Sequence, residues 1–285
     1  MSAEKKSAPA KTETETGPEN DGQHERGRNG LYCGVDIGAS ASKLVLIDGT
    51  KAVRARIVRP SGVDYKATAE ESLAQALRQA GADGVVRSVS TGYGRHNVKF
   101  ADDSLTEIHC HGVGCYHFIP RSISIVDIGG QDNKVIRLND SGQRIDFKMN
   151  RKCAAGTGAF IEEIALRLGI EIDEMDPLAR RTDKMVRLSS FCTVFAKTEI
   201  LAHLRKGADV AEIVRGAFMS VIQRVVEMDP LAGEVVLTGG VVAHNPIIAE
   251  VFSQKIGRPV EVPPYPQFTG AMGAALIALR QSTKH

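Results

Sequence analysis

Apolar positions along this chain fall into two textures. Short runs at residues 31–36, 44–47 and 52–58 read as three strands joined by tight turns, and runs at 123–127, 135–138 and 144–149 repeat that arrangement. Two later strands, 85–90 and 234–237, each run into a glycine turn, Thr91-Gly92 in one case and Thr238-Gly239-Gly240 in the other. Helical spacing fills the intervals at 66–80, 157–168, 194–205, 209–227 and 245–256.

The repeat extends to individual residues. Val35-Asp36-Ile37-Gly38 is followed by Lys43, and Val126-Asp127-Ile128-Gly129 by Lys134, so in both copies Lys stands seven residues after Asp. Matched lysines and matched late Thr-Gly turns predict a duplicated α/β fold whose two halves face one another. Ligands of α/β sheets sit beyond the carboxyl ends of the strands, so the four glycine turns should line one cleft. The expected organisation is a polar tail over 1–30, a first lobe over 31–121, a second lobe over 122–268 and a C-terminal helix over 269–285 that returns to the first lobe.

Composition narrows the partners. The chain has 285 residues, 42% hydrophobic and 25% charged, enough to bury a substantial core. A net charge of +2 provides no field for nucleic acid, which is excluded as a partner. The uncharged run 262–279 carries Pro263, Pro264 and Pro266, so no membrane span is expected. Residues 1–30 contain no Val, Ile, Leu, Phe, Tyr or Trp and read as a disordered leader. No charged-then-apolar signal opens the chain, which predicts a cytoplasmic protein whose five cysteines serve burial, catalysis or metal rather than disulfides.

The turns suggest phosphate chemistry. Asp36 ends a strand, and the turn through Gly38, Ala39, Ser40, Ala41, Ser42 and Lys43 offers backbone N–H groups, two hydroxyls and an ammonium to an anion. Asp127 and the turn Gly129-Gly130-Gln131-Asp132 supply a second carboxylate and an amide from the other half. Two carboxylates flanking a phosphate chain suit Mg²⁺, and Gln131 is the right type to orient an attacking water. The P-loop pattern ending in Gly-Lys-Ser/Thr is absent.

The paired Asp-Ile-Gly turns and the late Thr-Gly-Gly turn resemble those of the ribonuclease H-like actin, Hsp70 and sugar-kinase superfamily. Within it, the segments Thr91-Gly92-Tyr93-Gly94-Arg95, Asp127-Ile128-Gly129-Gly130-Gln131-Asp132, Cys153-Ala154-Ala155-Gly156-Thr157-Gly158 and Cys192-Thr193-Val194-Phe195-Ala196 resemble one family. It comprises the ATP-dependent activators of 2-hydroxyacyl-CoA dehydratases and the ATPase subunits of benzoyl-CoA reductase. The resemblance implies ATP, Mg²⁺ and one 4Fe-4S cluster per dimer, with Cys153 and Cys192 as this chain's ligands. It further implies a second ATPase subunit, like or unlike this one, ferredoxin as electron donor, and catalytic reductase or dehydratase subunits as acceptor. Nucleotide contacts carry over to Ala39, Ser40, Ala41, Ser42 and Lys43 on the phosphates, Gln131 near the γ-phosphate, and Gly239 and Gly240 beside adenosine. His244 and Gln267 fall where the family has polar groups near the nucleotide, although the run 239–244 is one residue longer than the family's form and carries His where Gln is common.

The core motifs resemble a dehydratase activator, while the long polar leader resembles the reductase subunits and tips the expectation toward benzoyl-CoA reductase. Two other functions fit the same fold: a small-molecule kinase, and a non-catalytic nucleotide-binding assembly protein of the Hsp70 or actin type. The kinase has no use for two cysteines at helix starts. A further cluster, His109-Cys110-His111 with Cys115 and His117, has a metal-like composition, but its spacing on a helix over 108–118 sends the side chains in different directions.

Overall fold

The computed structural model describes residues 30–150, 156–188 and 193–283. The expected polar leader lies outside the described residues, apart from Gly30. Two five-stranded sheets are built alike. In the first, β1 (Leu31–Ile37), β2 (Ala41–Asp48) and β3 (Val53–Pro60) form an antiparallel meander, and β4 (Arg87–Thr91) and β5 (Asp103–Ser104) extend it in parallel from the other side of β1. In the second, β6 (Ile123–Ile128), β7 (Asn133–Leu138) and β8 (Arg144–Asn150) form the meander, and β9 (Val235–Thr238) and β10 (Val260–Glu261) the parallel extension. The orders, β3-β2-β1-β4-β5 and β8-β7-β6-β9-β10, are the same topology used twice. This is the two-lobed ribonuclease H-like fold.

The strand register explains the seven-residue interval. Asp36 lies opposite Lys43 on β2 and beside Thr91 on β4, and Asp127 lies opposite Lys134 on β7 and beside Thr238 on β9. Residues directly opposite across strands project to the same face, so each sheet carries an Asp-Lys-Thr triad at its carboxyl end.

Helices α1 (Tyr65–Ala80) and α2 (Glu107–Phe118) complete the first half of the chain. The Asp64 carboxylate accepts from the Ala67 N–H and caps α1. The second half adds α3 (Gly158–Leu168), α4 (Met175–Ala179), α5 (Thr193–Arg205), α6 (Val210–Met228), α7 (Gly240–His244), α8 (Ile247–Ile256) and α9 (Thr269–Ser282). The two-residue strands β5 and β10 and the one-turn helix α7 are too short to imprint a period on the sequence, so pattern reading misses them.

Two helices lie between the sheets. α9 packs Ala271, Ala275 and Leu276 against Tyr32, Val45 and Val89 of the first sheet. α2 turns Ile108 and Cys115, with Ile119 just past its end, toward Ile123, Ile125 and Ile136 of the second. Where the helices meet, backbone touches backbone: a Cβ on Gly273 would lie 1.8 Å from the Cys110 carbonyl oxygen, and one on Gly114 2.0 Å from that of Thr269. The layers therefore run sheet, α9, α2, sheet. Because α9 is enclosed, every residue from Thr269 to Leu279 is buried, which accounts for its apolar composition all round. Among the described residues no helix is long and apolar enough to cross a membrane.

Candidate functional site

The strand-end aspartates are both buried, Asp36 6% and Asp127 4% exposed. Asp127 accepts from the Thr238 hydroxyl at 3.1 Å, and its other oxygen lies 3.3 Å from the Lys134 ammonium. Burial alone would raise its carboxyl, but the charges of His111, Lys134 and Lys43 and the Thr238 bond outweigh that and hold it at about 2. Lys134 also meets Asp132 at 2.7 Å and Glu107 at 3.7 Å. Burial works against its charge, yet Asp127, Glu107 and Asp132 together keep the ammonium well above its ordinary range.

Lys43 is placed differently. Half-buried, it donates to the Ala41 carbonyl at 3.2 Å, and no carboxylate among the described residues lies within ion-pair reach of it. Its charge nevertheless acts on Asp127 of the opposite lobe. The two turns themselves approach closely, since a Cβ on Gly130 would lie 2.7 Å from the Ser40 hydroxyl. The first-lobe and second-lobe turns thus face each other across the cleft expected from the repeat.

The other nucleotide-contact candidates are distributed around this point. Ala39, Ser40 and Gln131 are exposed on the rim, and Ala41 is half-buried. Ser42 differs from the sequence expectation in how its hydroxyl is used: buried, it shares a 2.8 Å hydrogen bond with the Ser61 hydroxyl. β2 already begins at Ala41, so the pleat sends Ser42 inward and its neighbour Lys43 toward the cleft.

Gly239 adopts φ +102°, where a side chain would be strained, and a Cβ there would lie 2.3 Å from the Ile128 carbonyl oxygen. Next to it, Gly240 faces open space: a Cβ there would meet nothing within 4 Å among the described residues. The Gly239 N–H donates to the Pro266 carbonyl at 3.0 Å, which brings half-buried Gln267 beside this turn. His244 sits exposed at the far end of α7.

Sequence reasoning passes over three residues of this site. Thr238 reads as turn punctuation but holds the Asp127 carboxylate. Glu107, the first residue of α2, helps to surround Lys134. His111 is 5% exposed; its Nδ1 lies 3.1 Å from the Thr269 hydroxyl and its Nε2 4.0 Å from Asp127 Oδ2. The available signal for it is a histidine flanked by Cys110 and Gly112 on the side of the helix that also carries Ile108 and Cys115 inward.

The remaining members of its cluster point apart, with His109 exposed, His117 half-buried, and Cys110 and Cys115 in separate cores. Among the described residues no three His, Cys, Asp or Glu side chains are grouped to hold a metal ion. Cys33, Cys110 and Cys115 are buried and free, and burial pushes their thiols upward, Cys110 to about 12. Cys153 and Cys192 lie outside the described residues. In sequence they stand five residues before α3 and immediately before α5.

The donor set fits a Mg-nucleotide. Two buried carboxylates from opposite lobes, a lysine with no carboxylate in ion-pair reach and an open glycine turn offer metal ligands, a phosphate partner and space for a nucleoside. A model of the BadF/BadG/BcrA/BcrD ATPase family matches residues 33–278. The activator of lactoyl-CoA dehydratase from Anaerotignum propionicum is 38% identical over 257 residues, 88% of this chain and 98% of that protein. A benzoyl-CoA reductase subunit from Thauera aromatica is 30% identical over 260 residues, 86% and 92% of the two chains. Among solved structures, the activator of the 2-hydroxyisocaproyl-CoA dehydratase from Clostridium difficile with bound ADPNP superposes with a TM-score of 0.82 at 34% identity, over 89% of this chain and 96% of that one. With nearly all of the described fold inside the matched region, the chain belongs to the BadF/BadG/BcrA/BcrD ATPase family.

Proposed function

We propose that this protein hydrolyses ATP to activate a 2-hydroxyacyl-CoA dehydratase, passing it single low-potential electrons. The observation that carries the nucleotide part is the duplicated Asp-Lys-Thr triad, with both aspartates buried, at the ends of two sheets whose turns meet. In this reading Ser40, Lys43 and the backbone N–H groups of the first turn take phosphate oxygens. Asp36 and Asp127 hold Mg²⁺, directly or through water, and Gln131 orients the attacking water. Gly239 and Gly240 receive the adenosine, with Gln267 at its edge and His244 as an outlying contact.

The polar leader favours benzoyl-CoA reductase as the partner. Relatives named as dehydratase activators, at 34 and 38% identity, support the dehydratase more strongly than the reductase relative at 30%. Cys153 and Cys192 remain the proposed ligands of a 4Fe-4S cluster, because the three other cysteines are buried in the core with raised thiols. Two thiolates per chain require a second subunit to complete four. A bound cluster would supply one-electron chemistry, with ferredoxin as the donor.

The test is anaerobic purification of the wild type and of Cys153→Ser and Cys192→Ser. Iron, acid-labile sulfide, ATP turnover and ATP-dependent activation of a 2-hydroxyacyl-CoA dehydratase are then measured. Both variants should lose iron and activation while retaining nucleotide binding. Wild-type iron and sulfide in both would remove the cluster assignment, and activation of benzoyl-CoA reduction in place of dehydration would return the reductase reading.

A further inference from the structure

His111 stands in the seam between α2 and α9, at the level of both aspartates. On one side the hydrogen bonds form a continuous run. The Gly239 N–H and the Thr269 hydroxyl both donate to the Pro266 carbonyl, at 3.0 and 3.3 Å. With its one proton so directed, the Thr269 oxygen accepts from His111 Nδ1 at 3.1 Å. On the other side Nε2 borders the carboxylates. It lies 4.0 Å from Asp127 Oδ2, and a Cβ on Gly270 would lie 3.0 Å from Nε2 and 2.8 Å from Asp36 Oδ2. A 4.0 Å separation is too long for a hydrogen bond, so the imidazole acts on Asp127 across an ion-pair distance and by limiting where the carboxylate can move.

We propose that His111 is a positioning residue that sets Asp127 against Asp36, and that the run Gly239, Pro266, Thr269, His111 links the glycine turn to the two carboxylates. The proposal rests on the nucleotide-site reading above. Thr269 is fully buried and begins the helix that packs on the first sheet, while Asp127 belongs to the second. A rigid imidazole between them therefore fixes one lobe's carboxylate relative to the other lobe. Groups that orient a metal-binding carboxylate are typically worth 10–100-fold in activity when removed, although they touch no substrate.

The test uses the full-length protein with Mg-ATP and reads kcat and KM separately. His111→Leu fills the space with no polar atom and should lower kcat by about 10-fold or more. KM should stay within about twofold, because the phosphate and adenosine contacts are elsewhere. His111→Gln, whose amide reaches the place of Nε2, should recover part of that kcat. Recovery of this kind distinguishes positioning from packing. Thr269→Val removes the imidazole's anchor without loss of volume, should lower kcat in the same direction, and covers the case in which His111→Leu does not fold. Wild-type kcat in either His111→Leu or Thr269→Val, beside an inactive Asp127→Ala, overturns the positioning role alone. Wild-type turnover in Asp127→Ala instead overturns the nucleotide-site reading beneath it.

Discussion

Lys43 and Lys134 occupy the same place in the two repeats, each opposite its strand-end aspartate, but their surroundings differ. Lys134 is buried among Asp127, Asp132 and Glu107, which neutralise its charge. Lys43 has the carbonyl of its own turn for a partner and remains available to an anion. The divergence traces to the position two residues before each lysine, which is Asp132 in one repeat and Ala41 in the other. The threonines diverge too: Thr238 donates to Asp127, whereas Thr91 donates to the Leu105 carbonyl. The two repeats share one frame, and a few side chains leave one lysine ion-paired and the other without a carboxylate in reach among the described residues.

The largest effect should come from removing the buried lysine. Lys134→Met leaves three carboxylates without their cation and should destabilise the fold by about 3–5 kcal/mol, whereas Lys43→Met should leave thermal melting near wild type and weaken Mg-ATP binding. Equal melting losses in the two variants would erase the asymmetry. The next effect belongs to Gln131, exposed at the tip of the second-lobe turn, whose counterpart in the first is Ser40. Gln131→Ala should slow turnover by about 10²-fold with Mg-ATP affinity retained, while Ser40→Ala does much less. Similar losses in the two would mean that the turns share the positioning of water.

The smallest effect concerns the turns at the far ends of β2 and β7. Asp48 Oδ1 accepts from the Thr50 N–H and hydroxyl and the Ala52 N–H, and Oδ2 from Arg54. Asn139 Oδ1 accepts from the equivalent Ser141 N–H and hydroxyl and the Gln143 N–H. The same turn is thus closed by a charged acceptor in one lobe and a neutral one in the other. Burial pushes the Asp48 carboxyl up, but the bonds from Thr50, Ala52 and Arg54 outweigh it and leave it below the usual range. A carboxyl lowered by folding contributes stability above its ordinary value and loses it as pH falls through the lowered one. Asp48→Asn should therefore cost about 1 kcal/mol at neutral pH and flatten the acid limb of the stability profile. Urea midpoints measured from pH 3 to 7 check this, and an unchanged acid limb would show that Asp48 does not contribute to it.

The frame of this comparison is legible because it is periodic. The seven-residue Asp-Lys interval is the hairpin register written into the sequence, and the long helices α1, α3, α5 and α6 show the 3.6 period within a residue or so of their ends. The exceptions are matters of direction and distance. Ser42 resembles a second phosphate hydroxyl if the turn reaches Lys43, whereas pairing resumes at Ala41 and reverses the side chain. His111 looks like part of a local cluster with His109 and Cys110, but its hydrogen-bond partner Thr269 is 158 residues away. Local spacing contains no record of such a contact.

The position of α9 has a consequence for synthesis on the ribosome. The helix closes the core over β1, β2 and β4, yet it emerges after the strands of both sheets have been made. Until it arrives, the nascent first sheet has an uncovered apolar face at Tyr32, Val45 and Val89, while the second sheet can already collapse onto α2 and its own helices. Folding order should thus run against chain order, with the half made first completed last. A stalled chain lacking α9 would leave the first sheet exposed to aggregation or to a chaperone, and its protease-resistant part should be the second lobe.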